Sequence, residues 1–532
     1  MYYYSLTDVS KLTSTPSNRS EKSGEPAALD VGALDRSMLS SIAWTGGAKW
    51  TVQALSWVST IVVVRLLSPS DYGLVGMAAV FLALLQPICD LGIGSAIVQG
   101  RHLSDTEIAR LNGFAVFLGL ACTTLTAAFA LPISAFFHEP ALATAVPVMG
   151  ISFLAGAFRV VPTALLVREM GFKRLAFLET AEGAVLISTT LGLALSGAGY
   201  WSLVLGPVIA RIVGSALAVH ARPYALAAPW PLARIGGTVK FGAWVAASSL
   251  AWYAYSNADR AVVGRLLGEA ALGAYAIGIT LAAVPVEKIA QLYQRVAESV
   301  ISRVQHDPAA VGRYLLRITE GVSMISFPLS IGLALVADQF VAVALGARWA
   351  PAVVPLRFLA AAAALRSVDP LLAQILVATG HASYNARTML IATLIMPLSF
   401  LLGARWGLEG VALVWLVGHP AIVMTQQLAY ALHVADTRFI EYLRALWPAV
   451  SSTAMMAAVV LGTRGLLDNH LARPAALAVN IAAGAIAYGA TLLLVHPQRI
   501  RAARDFIRSG ISRAPGPAPE PPNPEKTEPR MA

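Results

Sequence analysis

The chain has 532 residues, 57% of them hydrophobic and only 13% charged, with a formal net charge of +10. Soluble domains carry about 25% charged residues, so this chain cannot cover itself with polar surface, and a soluble globular fold is excluded. Cys89 and Cys122 both sit inside apolar runs and indicate neither a disulfide framework nor a metal site, while the basic residues are scattered through short loops and the C-terminal end, as the positive-inside bias requires, rather than gathered for nucleic acid.

In chain order, residues 1–40 are polar, Ser/Thr-rich and mixed in charge, without the basic start and short apolar core of a signal peptide. They are predicted to form a disordered cytoplasmic tail. Apolar windows of about 19 residues follow, each long enough to cross about 30 Å of hydrocarbon as a helix. They predict an all-α polytopic membrane protein with spans at 42–64, 74–99, 113–135, 144–166, 175–196, 200–219, 241–264, 271–300, 316–337, 352–379, 386–403, 409–433, 445–464 and 474–495. With the N-terminus inside, fourteen Lys and Arg residues fall in cytoplasmic loops, against Arg65, Arg265, Arg348, Arg405, Arg464 and Arg473 on the opposite side. Both termini are therefore expected in the cytoplasm. Residues 497–514 form a basic segment with Ile500, Ile507 and Ile511 near one helical face, suited to an anionic leaflet or to solvent. Residues 515–532 are a Pro-rich disordered tail.

The chain repeats itself. RLLSPSDYG at 65–73 returns as RLLGEAALG at 265–273, and sliding 43–83 onto 243–283 without a gap leaves eleven identical pairs, among them Trp44/Trp244, Arg65/Arg265 and Gly73/Gly273. Six spans separate the copies, an even number, so both halves have the same orientation. This predicts two six-helix lobes, 41–238 and 239–434, in a parallel repeat about an axis along the membrane normal. Spans 13 and 14, within 435–496, lie outside it.

RLLSPSDYGLVGMAAVF with CDLGIGSAIVQ (89–99), GYWSLVLG (199–206), NADRAVVGRLLG (257–268) and ARWAPAVVPLRFL (347–359) resembles the polysaccharide repeat-unit flippases of the multidrug/oligosaccharidyl-lipid/polysaccharide exporter superfamily, and most nearly the colanic-acid-exporter branch. The resemblance covers about residues 40–435. It implies a two-lobed helical fold with a central cavity and a bacterial inner-membrane location. It also implies that the chain moves an undecaprenyl-pyrophosphate-linked oligosaccharide between leaflets by alternating access, for exopolysaccharide, capsule or O-antigen assembly. The implied partners are that substrate, membrane lipids and polysaccharide-assembly proteins such as a polymerase. No nucleic acid, cofactor or metal is expected.

A sugar head and a pyrophosphate cannot cross hydrocarbon unaided, because each buried polar group costs several kcal/mol. Ionisable residues within spans are therefore the candidate site. Lys49, Arg159 and Arg211 are the first candidates for pyrophosphate contacts, set against buried salt bridges with Asp90, Glu179 or Glu182. Arg260 adjoins Asp259 near the end of span 7. Arg366 and Asp369, spaced i, i+3, are expected to neutralise each other somewhat more readily than to bind ligand. Lys288, Gln291, Arg295, Glu298 and Ser302 recur every three or four residues along span 8, making a stripe that lines a wet cavity or emerges into solvent. Asp90, Glu179, Glu182, Asp259 and Glu287 are the candidate ion-coupling residues. Two rivals share parts of this picture. A drug/cation antiporter of the same superfamily would lack the RLLSPSDYG and DLGIGSAIVQ phrases, and a membrane polymerase or glycosyltransferase would need a sizeable loop and acid/base groups not visible here.

Overall fold

The computed structural model describes residues 55–99, 103–228, 236–467 and 470–499, without the side chains of 236–249, 251, 288, 291–296 and 298–300. The predicted tails, most of the basic segment and Lys49 lie outside the described residues. So do the side chains of Lys288, Gln291 and Arg295.

Among the described residues every regular element is helical. The helices are α1 Leu55–Leu66, α2 Pro69–Asp90, α3 Ile93–Gln99, α4 Asp105–Phe137, α5 Leu142–Arg168, α6 Phe172–Leu195 and α7 Trp201–Ala221. There follow α8 Gly236–Leu267, α9 Glu269–Val304, α10 Pro308–Leu335, α11 Ala337–Phe340, α12 Val353–Arg366, α13 Asp369–Ala378, α14 Ala382–Gly403, α15 Gly407–Leu413 and α16 Thr425–Val434. The last two are α17 Phe439–Leu467 and α18 Arg473–Val495. Among the described residues, eleven stretches are long and apolar enough to cross a membrane, with Ala382–Val434 counted as one. Thirteen of the fourteen expected spans fall on one or more of these helices, and residues 55–64, the described part of the first, fall on α1.

The boundaries follow from local chemistry. In SPSD, Ser68 and Asp71 form a reciprocal capping box and Pro69 enters the first turn, so α2 starts there. At the repeated position the turn is made differently, by Gly268 at φ 88; glycine supplies at no steric cost the left-handed turn that separates α8 from α9. Ser104 with Glu107 repeats the capping box at α4, and Asp307 followed by Pro308 opens α10. DLGIGS breaks the second span: Leu91 and Gly92 adopt positive φ between α2 and α3.

The helices of the first half pack as α4 on α5, α6 on α7 and α5 on α7. In the second half α9, α10 and α12 pack together, and α14 lies against α8 and α15. α17 rests on α10, and α18 on α17. α2 joins the halves by crossing α9 and α8.

That crossing is reciprocal. A methyl group at Gly73 would overlap the carbonyl oxygen of Glu269, and one at Gly273 would overlap the carbonyl oxygen of Pro69. The ring of Trp349 donates from Nε1 to the Val64 carbonyl at 2.8 Å, and the Phe137 ring covers Gly264. Arg65 donates to the carbonyls of Val343 and Ala344, and Arg265 reaches His138. In the glycine pair both partners lie 200 positions apart and exchange roles, the pattern of a two-fold self-complementary interface; in the other two pairs one partner does, Val64 with Gly264 and Arg65 with Arg265. Apolar side chains of both halves, among them Leu74, Met77 and Phe137 with Leu272, Tyr275 and Trp349, form one continuous buried cluster around this seam.

Candidate functional site

Two clusters of ionisable residues lie at membrane depth, and they occupy corresponding places in the repeat: spans 4 to 6 of the first half, spans 10 and 12 of the second.

In the first half, Arg159 on α5 and Arg211 on α7 converge on one carboxylate, Glu182 of α6. Arg159 pairs with it directly and Arg211 Nη1 lies 3.3 Å from Oε1. Gly214 lets α7 approach, its α-carbon facing the Glu182 side chain. The salt-bridge alternative therefore holds for both arginines, but the stoichiometry leaves one positive charge over. It resides chiefly on Arg211, whose side chain is 44% exposed against 16% for Arg159. Glu179 is exposed one turn earlier on α6. Asp90 accepts from Gln86 Nε2 at 2.9 Å and lies apart from this cluster. It edges a cavity of about 520 Å³ at the α2–α3 break, with Gly92, Gly94, Ser95 and Thr163.

In the second half the chain is irregular where the charges sit. Span 10 breaks at Ser367–Val368, ending α12 on Arg366 and starting α13 on Asp369. A cation at a helix C-terminus and an anion at a helix N-terminus each match the local dipole. The break also corrects the i, i+3 expectation, which assumed one continuous helix: the two side chains turn to different partners. Arg366 lies over the Trp415 ring, 4.2 Å from its centroid, while Asp369 Oδ2 lies 3.6 Å from His419 Nδ1. Both partners come from the stretch of span 12 that two π-helical turns interrupt, Val414–Gly418 and Pro420–Met424. Such turns are common at functional sites.

Trp415 is fixed from behind. Its Nε1 donates to Asp259 Oδ2 at 2.8 Å, and Tyr275 donates its hydroxyl to the same oxygen at 2.8 Å. Asp259, fully buried, also accepts from the Arg260 backbone N–H through Oδ1. Its lone pairs are thus engaged in holding the indole. Arg260 donates to Asn257 Oδ1 at 2.6 Å. Glu287 is exposed on α9. Arg366 is exposed and makes no ion pair among the described residues. A bare guanidinium near the middle of a span is not tolerated by acyl chains, so water or an anion must reach it.

Sequence reasoning did not single out Trp415, His419 or Tyr275. The signal was present in VWLVGHPAIVM, where an ionisable ring lies one helical turn after an indole in an otherwise apolar span.

Over residues 62–354, more than half its length, the chain matches the family described as polysaccharide biosynthesis protein. It belongs to that family. Among relatives of this polysaccharide biosynthesis protein, the lipopolysaccharide biosynthesis protein WzxC of Escherichia coli (strain K12) is 25% identical over 479 residues, covering 87% of this chain and 96% of that one. The succinoglycan biosynthesis transport protein ExoT of Rhizobium meliloti (strain 1021) is 24% identical over 483 residues, covering 89% and 96%. The fold is similar to that of the lipid II flippase MurJ in its inward closed conformation, with a TM-score of 0.66 at 15% identity over 86% of this chain and 100% of that one. Family membership and fold both agree with the resemblance drawn from the repeated phrases.

Proposed function

We propose that this polysaccharide biosynthesis protein is a flippase that carries lipid-linked oligosaccharide units across the membrane, acting as a carrier and not as a catalyst. The substrate is an undecaprenyl-pyrophosphate oligosaccharide, the membrane is the bacterial inner membrane, and both chain termini lie in the cytoplasm. Two lobes, 41–238 and 239–434, rock about the α2–α9 crossing and expose a polar path to one side and then the other. The names of the relatives, a lipopolysaccharide biosynthesis protein and a succinoglycan transport protein, support the assignment, as does the fold shared with a lipid II flippase.

The observation that carries the reading is Arg366: an exposed guanidinium in the middle of a broken span, laid on an indole face and free of any ion pair among the described residues. An arginine so held offers its donor edge to a doubly charged pyrophosphate while the ring takes its flat face. Arg211, with its half share of Glu182, supplies a second cation from the other lobe. Lys49, Arg260, Lys288, Gln291 and Arg295 complete the substrate path in this proposal. Glu179, Glu182, Asp90, Asp259 and Glu287 serve as charge partners or coupling sites.

The test is reconstitution in vesicles with a fluorescent polyprenyl-pyrophosphate oligosaccharide. Transfer to the opposite leaflet is expected for the wild type, with Arg366→Gln at least about tenfold slower, corresponding to one lost charge-assisted contact. Arg366→Lys, which keeps the charge but not the planar fork, falls between. Absence of transfer by the wild type, or full activity in Arg366→Gln, defeats the proposal.

A further inference from the structure

The seam between the halves is reciprocal in position but not in chemistry. Arg65 is held by two backbone carbonyls, which do not titrate. Arg265 is held by an imidazole: its Nη1 lies 2.6 Å from His138 Nδ1 and its guanidinium carbon 5.5 Å from the centre of the Phe136 ring. A guanidinium has donors only, so the histidine nitrogen must accept, and it can do so only while the ring is neutral. His138 is exposed, at the left-handed C-cap of α4, where aqueous protons reach it.

We propose that His138 and Arg265 form a proton-operated latch on this face: neutral His138 ties α8 to α4 and keeps the seam shut, and protonation replaces the hydrogen bond with two adjacent cations and releases it. An imidazole changes charge between pH 5 and 8, the range in which such a latch is useful. The ionisable groups adjoining the pair are Arg265 itself from α8, Glu139, next to His138 in the turn after α4, and Glu269 at the start of α9, whose charge reaches Glu139. Burial and the neighbouring Glu269 hold the Glu139 carboxyl above the usual carboxylate range. Protonating Glu139 at lower pH removes its repulsion from Glu269 and works toward closure. In the proposed orientation this face is the outer one, so an acidic exterior unlocks the carrier outward. The inference rests on the two-lobe reading but not on the identity of the substrate.

The test measures the distance between spin labels at Ser196→Cys and Arg405→Cys, one on each half in exposed loops of this face, in lipid nanodiscs at pH 8 and pH 6 without substrate. The native cysteines are buried and stay unlabelled. The wild type is expected to shift toward the longer separation at pH 6, with about a tenfold change in the open-to-closed ratio. His138→Asn tolerates the left-handed backbone and accepts at every pH, so it stays short at both. Arg265→Gln, which removes the second cation, also loses the pH response. Arg65→Gln keeps it. No shift in the wild type, or a shift that persists in both His138→Asn and Arg265→Gln, overturns the latch whatever the transfer assay finds. A flippase that fails the transfer assay but shows the predicted distances leaves the latch standing.

Discussion

Asp259 shows how one side chain can be legible in sequence and still have its role decided elsewhere. An acid in an apolar span announces itself, and NADRAVVG places it near the end of span 7. Its employment, though, depends on Tyr275 and Trp415, 16 and 156 residues further on, whose donors it accepts. Asp259→Ala leaves a buried hydroxyl and a buried indole N–H without acceptors, at about 1–3 kcal/mol each. The variant is expected to lose several degrees of thermal stability and to loosen Trp415, read as a red shift of tryptophan emission, whereas Asp259→Asn, which keeps a carbonyl acceptor, loses less. Unchanged melting and emission in Asp259→Ala would mean that the acid does not buttress the indole beneath Arg366. The N-terminal cluster was easier to foresee: Arg159 and Arg211 lack a partner within their own spans, and Glu182 was among the three acids open to them. Which acid, and that both arginines would share it, is a matter of helix rotation that spacing along one chain does not contain.

At the scale of elements, the RLL phrases and their neighbours explain why the sequence repeats. Each copy ends one helix, turns within one or two residues, and starts the next with a glycine set one turn in, so that α2 and α9 cross backbone to backbone. Gly73→Ala and Gly273→Ala should each force the crossing apart, because the added carbon meets a carbonyl rather than a yielding side chain. The expected result is faster cross-linking or labelling of residues in the seam, with the two variants alike; a strong effect in only one would deny the two-fold relation. α17 and α18 lie outside the repeat and are attached to the second half by a polar pin. Arg464 donates to Asp338 at 2.6 Å, Arg357 donates to the same carboxylate at 3.0 Å, and Asn480 reaches Gln339 at 3.0 Å. Against the burial that would raise it, hydrogen bonds from Arg464 and Arg357 hold the Asp338 carboxyl below its ordinary value of 3.8. A lowered folded-state value means that the stabilisation is fully present above the ordinary value and is lost as pH falls through the folded one. Asp338 is 37% exposed, so the contribution is discounted to about 1 kcal/mol. Asp338→Asn should lower the melting temperature at pH 7 and abolish the part of the acid-induced loss below pH 4 that this carboxylate causes; melting curves of the two proteins from pH 7 to pH 3 decide it.

For the whole molecule, the proposed count of fourteen spans and the bias of Lys and Arg predict that both ends face the same compartment. Tags at residue 1 and residue 532 should be cut by protease only from the cytoplasmic side of inverted vesicles; cleavage of the two from opposite sides would break the span count. The sequence by itself determined the solvent, the all-helical class and the repeat, because hydropathy, caps and self-similarity are read locally: a span must be apolar over its own length, and SPSD starts a helix wherever it lies. It also placed some of the seam in recognisable phrases, Trp349 in ARWAPAVVPLRFL and Arg265 in NADRAVVGRLLG, but Trp415, His419 and Tyr275 lie outside them. Only the tertiary structure decided partnership. Arg366 turns from Asp369 to Trp415 because the helix breaks between them, and Arg265 meets His138 because two helices far apart in sequence end at the same depth. Such choices arise from rotation and crossing of packed helices, where a few ångströms separate an ion pair from an open guanidinium, and no pattern along a single chain encodes that distance.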